Sequence, residues 1–427
     1  MRVFRNATLP DGRVRDVAVE GGTIAAVEST VDGDRVIDAD GKFLFPGMID
    51  VHVHFREPGS PEKETWATGS RAAAAGGVTT VVDQPNTDPP TVDGASFDRK
   101  AELATKSLVD WGINGGVTER WRPEELFDRP LFALGEVFLA DSTGDMGIGH
   151  SLFEDALGRA RDAGTTVTVH AEDATKFDES VRDRTDPAAW SDYRPPAAEI
   201  SAVDAAAELA VELDASAHIA HASTAEGIDL AAEAGLTTEV TPHHLFRSRA
   251  DLDELGTFGR MNPPLRAESI RRDVADRVRD GTVDVIATDH APHTRTQKDA
   301  DIWSAPSGVP GVETALPLLL AEVGAGRLSA ERVRDLTARN PADIFGIETK
   351  GRIEPGADAD LVLVDLDATR PIRGADLHGK SDWTPFEGMT GVFPERTMVR
   401  GQEVWTSPDP TTAAGEFGEA VGKNLRP

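Results

Sequence analysis

The chain has 427 residues, long enough for two domains and a large core. It contains no cysteine, which excludes disulfides and thiolate metal ligands, and no apolar stretch near ~18 residues, which excludes a membrane-spanning helix. Its formal net charge is −30, from 74 acidic against 44 basic residues, which argues against a nucleic-acid-binding surface.

From the N-terminus, Met1–Asn6 opens as a strand and lacks the apolar segment of a signal peptide. Alternation over Arg13–Val19 and Thr23–Val27, with Gly21-Gly22 between, predicts a hairpin. The apolar run Phe43–Ile49 then enters a buried strand carrying Asp50-Val51-His52-Val53-His54-Phe55-Arg56-Glu57, and Pro58-Gly59 breaks it. Strand side chains alternate faces, so His52 and His54 point the same way and can grip one metal ion. Strand-like runs recur at 47–55, 78–85, 110–117, 133–140, 166–172, 217–223, 236–244 and 283–290. Arg71–Gly77 reads as a helix end with glycine stops, and 151–163, 201–213, 224–234 and 266–280 have helical composition, with Ser223-Thr224 suited to a cap. Eight strands alternating with helices predict an α/β fold, a (β/α)8 TIM-like barrel over residues 47–346, with its active site at the C-terminal strand ends. An open doubly wound sheet also binds ligands at strand ends, but brings strands one, five, six and eight round one point less readily. Strands are further predicted over Gly351–Asp365 and around Gly401. Residues 347–427 are therefore expected to join 1–46 in a small β-sandwich domain.

The strand ends carry the chemistry. His170 closes Thr166–Val169, His221 follows His218-Ile219-Ala220, and Asp289 closes Val283–Thr288. Polar residues placed by chance would scatter over helices and loops, whereas these recur at one position of one repeating unit. With cysteine absent, the ligands must be His, Asp, Glu or a modified Lys. Such a set suits zinc, and manganese or cobalt would also fit it.

The chain resembles the amidohydrolase superfamily, and within it the class I dihydroorotases, including those of halophilic archaea. The resemblance rests on Pro46–Gly59, on Gln84-Pro85-Asn86-Thr87, on Thr241-Pro242-His243-His244-Leu245, on Asn262-Pro263-Pro264-Leu265-Arg266 and on Ala287–His293. It implies reversible cyclisation of N-carbamoyl-L-aspartate to L-dihydroorotate by a zinc-activated hydroxide, with Asp289 as general acid and base. It implies two Zn2+ ions per subunit, one held by His52, His54 and Asp289, the other by His170 and His221. Many relatives bridge their metals with a carboxylated lysine at the end of strand four. No lysine lies between Lys106 and Lys176, so Glu136 is expected to bridge, with Asp141 as the alternative and an arginine-paired barrel residue as the bland reading of Glu136.

For the ring carboxylate, Arg56 lies two residues beyond His54 and offers a planar fork. By resemblance Asn86 and His293 join it, Asn262 contacts the ring amide, and the turn at Ser307-Gly308 gives a backbone contact. His54 also faces the substrate. The bland alternatives are a surface ion pair for Arg56, a turn former for Asn86 and a loop residue for His293. His150, His218, His243, His244, His290 and His378 are assigned structural or surface roles. The substrate-closing loop is sought after Asn86 or in 141–150. Competing activities are allantoinase and hydantoinase or dihydropyrimidinase, whose substrates lack the carboxylate that Arg56 would pair, and a non-catalytic scaffold for aspartate transcarbamoylase, which would have lost ligands. A small-molecule substrate, no membrane or nucleic-acid partner, a cytoplasmic location and a homodimer complete the expectations. Of the basic residues only 9 are lysine and 35 are arginine. Self-repulsion at −30 is relieved where molar salt cuts the Debye length to ~3 Å, so a high-salt cytosol is expected.

Overall fold

A computed structural model of the chain describes residues 1–139 and 146–426. Eight strands lie where the sequence places them: β1 (Met48–Val53), β2 (Val78–Asp83), β3 (Asp110–Ile113), β4 (Leu134–Leu139), β5 (Val167–Ala171), β6 (Ala217–Ile219), β7 (Thr237–Val240) and β8 (Val285–Ile286). Apart from Thr237, every residue in them is buried. Parallel strands covered on both faces demand such continuous apolar, β-branched runs.

Parallel pairing joins β1 to β3 in one arc and β4 to β8 in another. Bridges between Gly115 and Leu134, and between Val53 and His290, link the two arcs into a closed barrel. Polar side chains lock both seams. Gln84 donates to Val51 O at 3.0 Å, and its Oε1 accepts from Asn114 Nδ2 at 3.0 Å and from the Glu136 backbone at 2.8 Å. Asp50 accepts from Thr288 N at 3.0 Å and Thr288 Oγ1 at 2.6 Å, tying β1 to the segment that carries Asp289. Closure is what brings distant strand ends round one point.

Helices wrap this barrel: α1 (Trp66–Ala75), α2 (Gly94–Ala104), α3 (His150–Asp162), α4 (Pro196–Leu213), α5 (Ala225–Glu233), α6 (Glu268–Asp280) and α7 (Ala315–Gly324). α1 stops at Gly76, and Thr224 caps α5 by accepting from Gly227 N. Along α4 the buried residues Ala198, Ala202, Ala206 and Ala210 recur every fourth position and form one close-packed stripe.

The two chain ends meet in a nine-stranded mixed sheet. The hairpin at Gly21-Gly22 pairs Glu20 with Thr23. Phe43–Pro46 pairs antiparallel with Leu361–Val364 and continues through Gly47 into β1. A buried charge cluster fastens this sheet to the barrel. Lys350 Nζ lies 2.7 Å from Asp110 Oδ2 at the start of β3 and also binds Asp360, while Arg400 pairs with Asp110. The C-terminal tail lies along β3, with Lys423 N donating to Asp110 Oδ1 at 2.8 Å and Trp111 N to Lys423 O at 2.9 Å. One hairpin was not foreseen: Thr369–Pro371 pairs with Thr390–Val392 beside a cluster of Leu318, Ile372, Phe386 and Phe393. Three-residue strands are too short to show a period.

Candidate metal centre and substrate cleft

Six side chains converge at the C-terminal mouth of the barrel. His52 lies in β1 and His54 one residue past it, with ring centroids 5.2 Å apart. Glu136 comes from β4, His170 from β5, His221 from beyond β6 and Asp289 from beyond β8. Glu136 Oε1 lies 2.9 Å from His170 Nδ1 and 2.7 Å from His221 Nε2. Its Oε2 lies 3.5 Å from His52 Nε2 and 3.9 Å from His54 Nε2. One carboxylate thus faces a histidine pair with each oxygen, and its neighbours are imidazoles rather than an arginine. Asp289 Oδ1 is 3.0 Å from His54 Nε2 and 3.6 Å from His52 Nε2. The triads His52–His54–Glu136 and Glu136–His170–His221 each keep their ligand atoms within 4.8 Å of one another. His52 Nε2 is buried with no hydrogen-bond partner among the described residues. Nitrogen and carboxylate donors so gathered fit a metal ion on either side of Glu136. Asp141, the alternative bridge, lies outside the described residues, as does Gly144 of the 141–150 segment.

A second layer aims the imidazoles, and most of it escaped sequence reasoning. His52 Nδ1 meets Glu239 Oε1 at 2.6 Å, His170 Nε2 meets Glu172 Oε2 at 3.1 Å, and His54 Nδ1 meets Asn86 Oδ1 at 2.6 Å. Each contact fixes which ring nitrogen faces the centre. Glu239 also reaches His218 Nε2 at 3.3 Å, so His218 supports the centre from behind, and Glu172 is paired with Arg194. A carboxylate inside a buried strand, as Glu239 is, has to have a partner, and Glu172 stands two residues beyond His170; both signals were available in the sequence.

The backbone is bent to present these groups. Arg56, His221 and Asp289 have φ of +61°, +36° and +45°. Left-handed conformations at such residues cost about 1–3 kcal/mol each and persist where surroundings over-determine them. Here Asp83 accepts from Phe55 N at 2.6 Å, and Glu199 accepts from Ser223 N and Thr224 N at 3.0 and 2.8 Å. Arg266, from the Asn262–Arg266 motif, donates to Ser223 Oγ at 2.9 Å and lies 3.5 Å from Glu199, so it braces the His221 loop rather than the cleft. Arg56 does not continue the strand alternation of His52 and His54: β1 ends at Val53, and the left-handed turn carries the guanidinium round.

Electrostatics follow from burial and crowding. Burial opposes the charge on Glu136, yet His52, His170 and His221 hold its carboxyl well below the usual range. Burial likewise opposes protonation of His170, but Glu136 and Glu172 push it up to about 10. Asp289 is lowered to about 2, against burial, by His54, His52 and His221. The carboxylates thus hold protons on His52 and His170, which a metal ion must displace; uptake should release protons.

The cleft above the centre is lined by His54, Glu136, His170, His221 and Asp289 with Arg56, Asn86, Asn262, Ser307 and Gly308. His293 touches this set through Ser307 O at 2.9 Å and Arg56 Nη2 at 3.3 Å. Its Nε2 cannot both donate to the carbonyl and accept from the guanidinium; the shorter contact makes it the donor. Asn262 Oδ1 accepts from Ser307 Oγ and Trp190 Nε1, both at 3.1 Å. Gly308 has φ +126°, and a Cβ there would strike Ala291 O. Among the remaining histidines, His244 bonds Thr241 Oγ1 and Pro263 O at 2.9 Å, His290 accepts from Gly311 N and Val312 N, and His378 meets Glu313 at 2.8 Å. His150 is exposed at the start of α3. His243 is buried with Nε2 unpartnered, and burial lowers its pKa to about 4.

A (β/α)8 barrel whose strand ends gather four histidines and two carboxylates is the architecture of a metal-dependent hydrolase. The chain belongs to the amidohydrolase family, whose sequence model matches residues 43–404. It is 63% identical to the dihydroorotase of Halobacterium salinarum over 407 residues, covering 95% of this chain and 96% of that one. It is 44% identical to the dihydroorotase of Methanosarcina acetivorans, covering 99% and 95%. Among solved structures, the L-hydantoinase (dihydropyrimidinase) of Arthrobacter aurescens superposes with a TM-score of 0.93 at 27% identity, covering 99% of both chains. The dihydropyrimidinase of Brevibacillus agri does so with a TM-score of 0.90 at 27% identity, covering 100% and 98%.

Proposed function

We propose that this chain is a dihydroorotase, interconverting N-carbamoyl-L-aspartate and L-dihydroorotate in pyrimidine biosynthesis. Full-length similarity to curated dihydroorotases supports the activity. The observation that carries it within the site is Arg56, which lines the cleft beside the metal ligands and has no carboxylate at ion-pair distance among the described residues. Such a guanidinium suits a ring that bears a carboxylate, and the neutral rings of hydantoin or dihydrouracil offer it nothing.

In this reading the metal is zinc, with two ions per subunit. His52, His54 and Asp289 would hold one, His170 and His221 the other, and Glu136 would serve both. Bound there, zinc would supply a water of lowered pKa, from ~15.7 towards ~7, and Lewis acidity for the ring carbonyl. Asp289, ionised at neutral pH, takes a proton from the attacking water and delivers it to the ring amide nitrogen as the carbon–nitrogen bond breaks. In the ring-closing direction it removes a proton from the ureido nitrogen and returns it to the departing oxygen. Arg56 and Asn86 hold the ring carboxylate, and His293 joins them by turning its one N–H from Ser307 O to the substrate. Asn86 uses its oxygen on His54, which leaves its amide nitrogen for the substrate. Asn262 and the Ser307-Gly308 backbone contact the ring amide, and His54 packs beside it. Residues 47–346 form the catalytic barrel, and 1–46 with 347–427 the small domain, of a cytoplasmic homodimer.

The test is ring opening of L-dihydroorotate by purified protein in molar salt, followed by ultraviolet absorbance before and after chelation. Turnover that chelation abolishes and zinc restores is expected. A folded, zinc-loaded protein that ignores dihydroorotate but opens hydantoin or dihydrouracil would replace this reading with that of the structural neighbours.

A further inference from the structure

We propose that Lys298 is a positioning and specificity-determining residue, a buried cation that pins the two substrate-facing segments and tunes the cleft for an anionic ring. The proposal deepens the dihydroorotase reading and rests on it. Lys298 ends the short helix Arg295–Lys298 and its side chain is fully buried. Its ammonium donates to Arg260 O and Pro306 O at 2.9 Å and to Gly308 O at 3.1 Å. These three carbonyls use all three of its protons. They belong to two segments, one leading to Asn262 and one containing Ser307-Gly308, and both reach the cleft. Gly308 N also donates to Arg260 O at 3.0 Å, so the ammonium sits at the join. A third segment is tied to the same point. Trp383, whose ring centroid lies 5.7 Å from Lys298 Nζ, donates its Nε1 proton to His293 O at 2.8 Å.

Among the described residues no carboxylate lies at ion-pair distance from Lys298, Arg260 or Arg56. Arg260 instead stacks on Trp190 at 3.7 Å and binds Ala305 O. Burial, with Arg260 and Arg56 nearby, pushes the Lys298 ammonium well below the usual lysine range. A buried cation without a partner is costly, and the cost falls when an anion binds at Arg56, whose charge acts on Lys298. A ring that brings a carboxylate to Arg56 therefore favours the charged form of the lysine behind it, and a neutral ring does not. Lys298 touches neither the metal ligands nor Asp289, so its effect falls on substrate binding.

The test is steady-state kinetics of K298M and K298Q with L-dihydroorotate in molar salt, alongside zinc content and thermal melting. K298M keeps the length and loses the charge; K298Q keeps donors for the carbonyls. In K298M, KM is expected to rise about tenfold or more, with kcat within about threefold of the parent and zinc content unchanged. K298Q should recover only part of the KM. An unchanged KM in a folded variant overturns the proposal, as does an equal fall in kcat and kcat/KM. Failure of both variants to fold also overturns it in favour of a purely structural lysine. A parent enzyme that does not turn over dihydroorotate would instead sink the functional reading itself.

Discussion

Glu136 is the residue on which the centre turns, because its two oxygens face different histidine pairs. E136A should leave fewer than one metal ion per chain by elemental analysis and no measurable ring opening, while the barrel still melts cooperatively. Behind it, Glu239 orients His52 through a 2.6 Å contact and also reaches His218. E239Q keeps the shape and removes the charge, so zinc affinity should fall about 10–100-fold in competition with a chelator. Arg56→Lys exchanges a fork for a point charge and should raise KM for dihydroorotate about tenfold, equivalent to about 1.4 kcal/mol. The spacing His52-Val53-His54 announces itself in the sequence because alternation makes two imidazoles neighbours. Glu239 shows there only as a strand carboxylate in need of a partner, and Lys298 not at all, because its partners are backbone carbonyls, which no residue pattern marks.

At the scale of elements, the eight barrel strands were legible because double burial demands unbroken apolar runs, and Val78–Asp83 or Val167–Ala171 can be read directly. The turns that follow them were less so. His221 and Asp289 owe their aim to left-handed backbone, which histidine and aspartate enter more often than most residues but still too rarely to be read from sequence. Gly135 is an instructive intermediate case. It has φ +143°, and a Cβ there would collide with Thr168 Oγ1 and O on the neighbouring β5. A glycine inside a strand run signals close backbone approach, and here that approach seats Glu136 next to β5. G135A should therefore lose about 1–3 kcal/mol of stability from overpacking alone, read as a lower melting temperature. Its zinc content should fall more steeply than its stability, since the displaced residue is the one beside Glu136.

For the whole molecule, two kinds of electrostatics act and salt should separate them. The surface carries most of the −30 charge, and its self-repulsion extends over a Debye length of about 10 Å at 0.1 M but about 3 Å at 1 M. The melting temperature of the parent should rise steadily as potassium chloride increases from 0.1 M to molar. A flat or falling curve would remove salt adaptation as the reason for the composition. The cluster of Lys350 with Asp110 and Asp360 behaves differently. Their side chains are at most 4% exposed, so mobile ions cannot enter. Burial works against the Lys350 charge, but Asp360 and Asp110 prevail and hold its ammonium above the usual lysine range. K350M takes the buried cation from Asp360 and leaves Asp110 to Arg400 at the seam between barrel and terminal sheet, costing about 3–5 kcal/mol. The cost should be nearly the same at 0.5 M and 3 M salt, so the two melting curves should run parallel. Convergence of the curves at high salt would mean that ions reach the seam and that the terminal sheet is fastened chiefly by its strand pairing and apolar contacts.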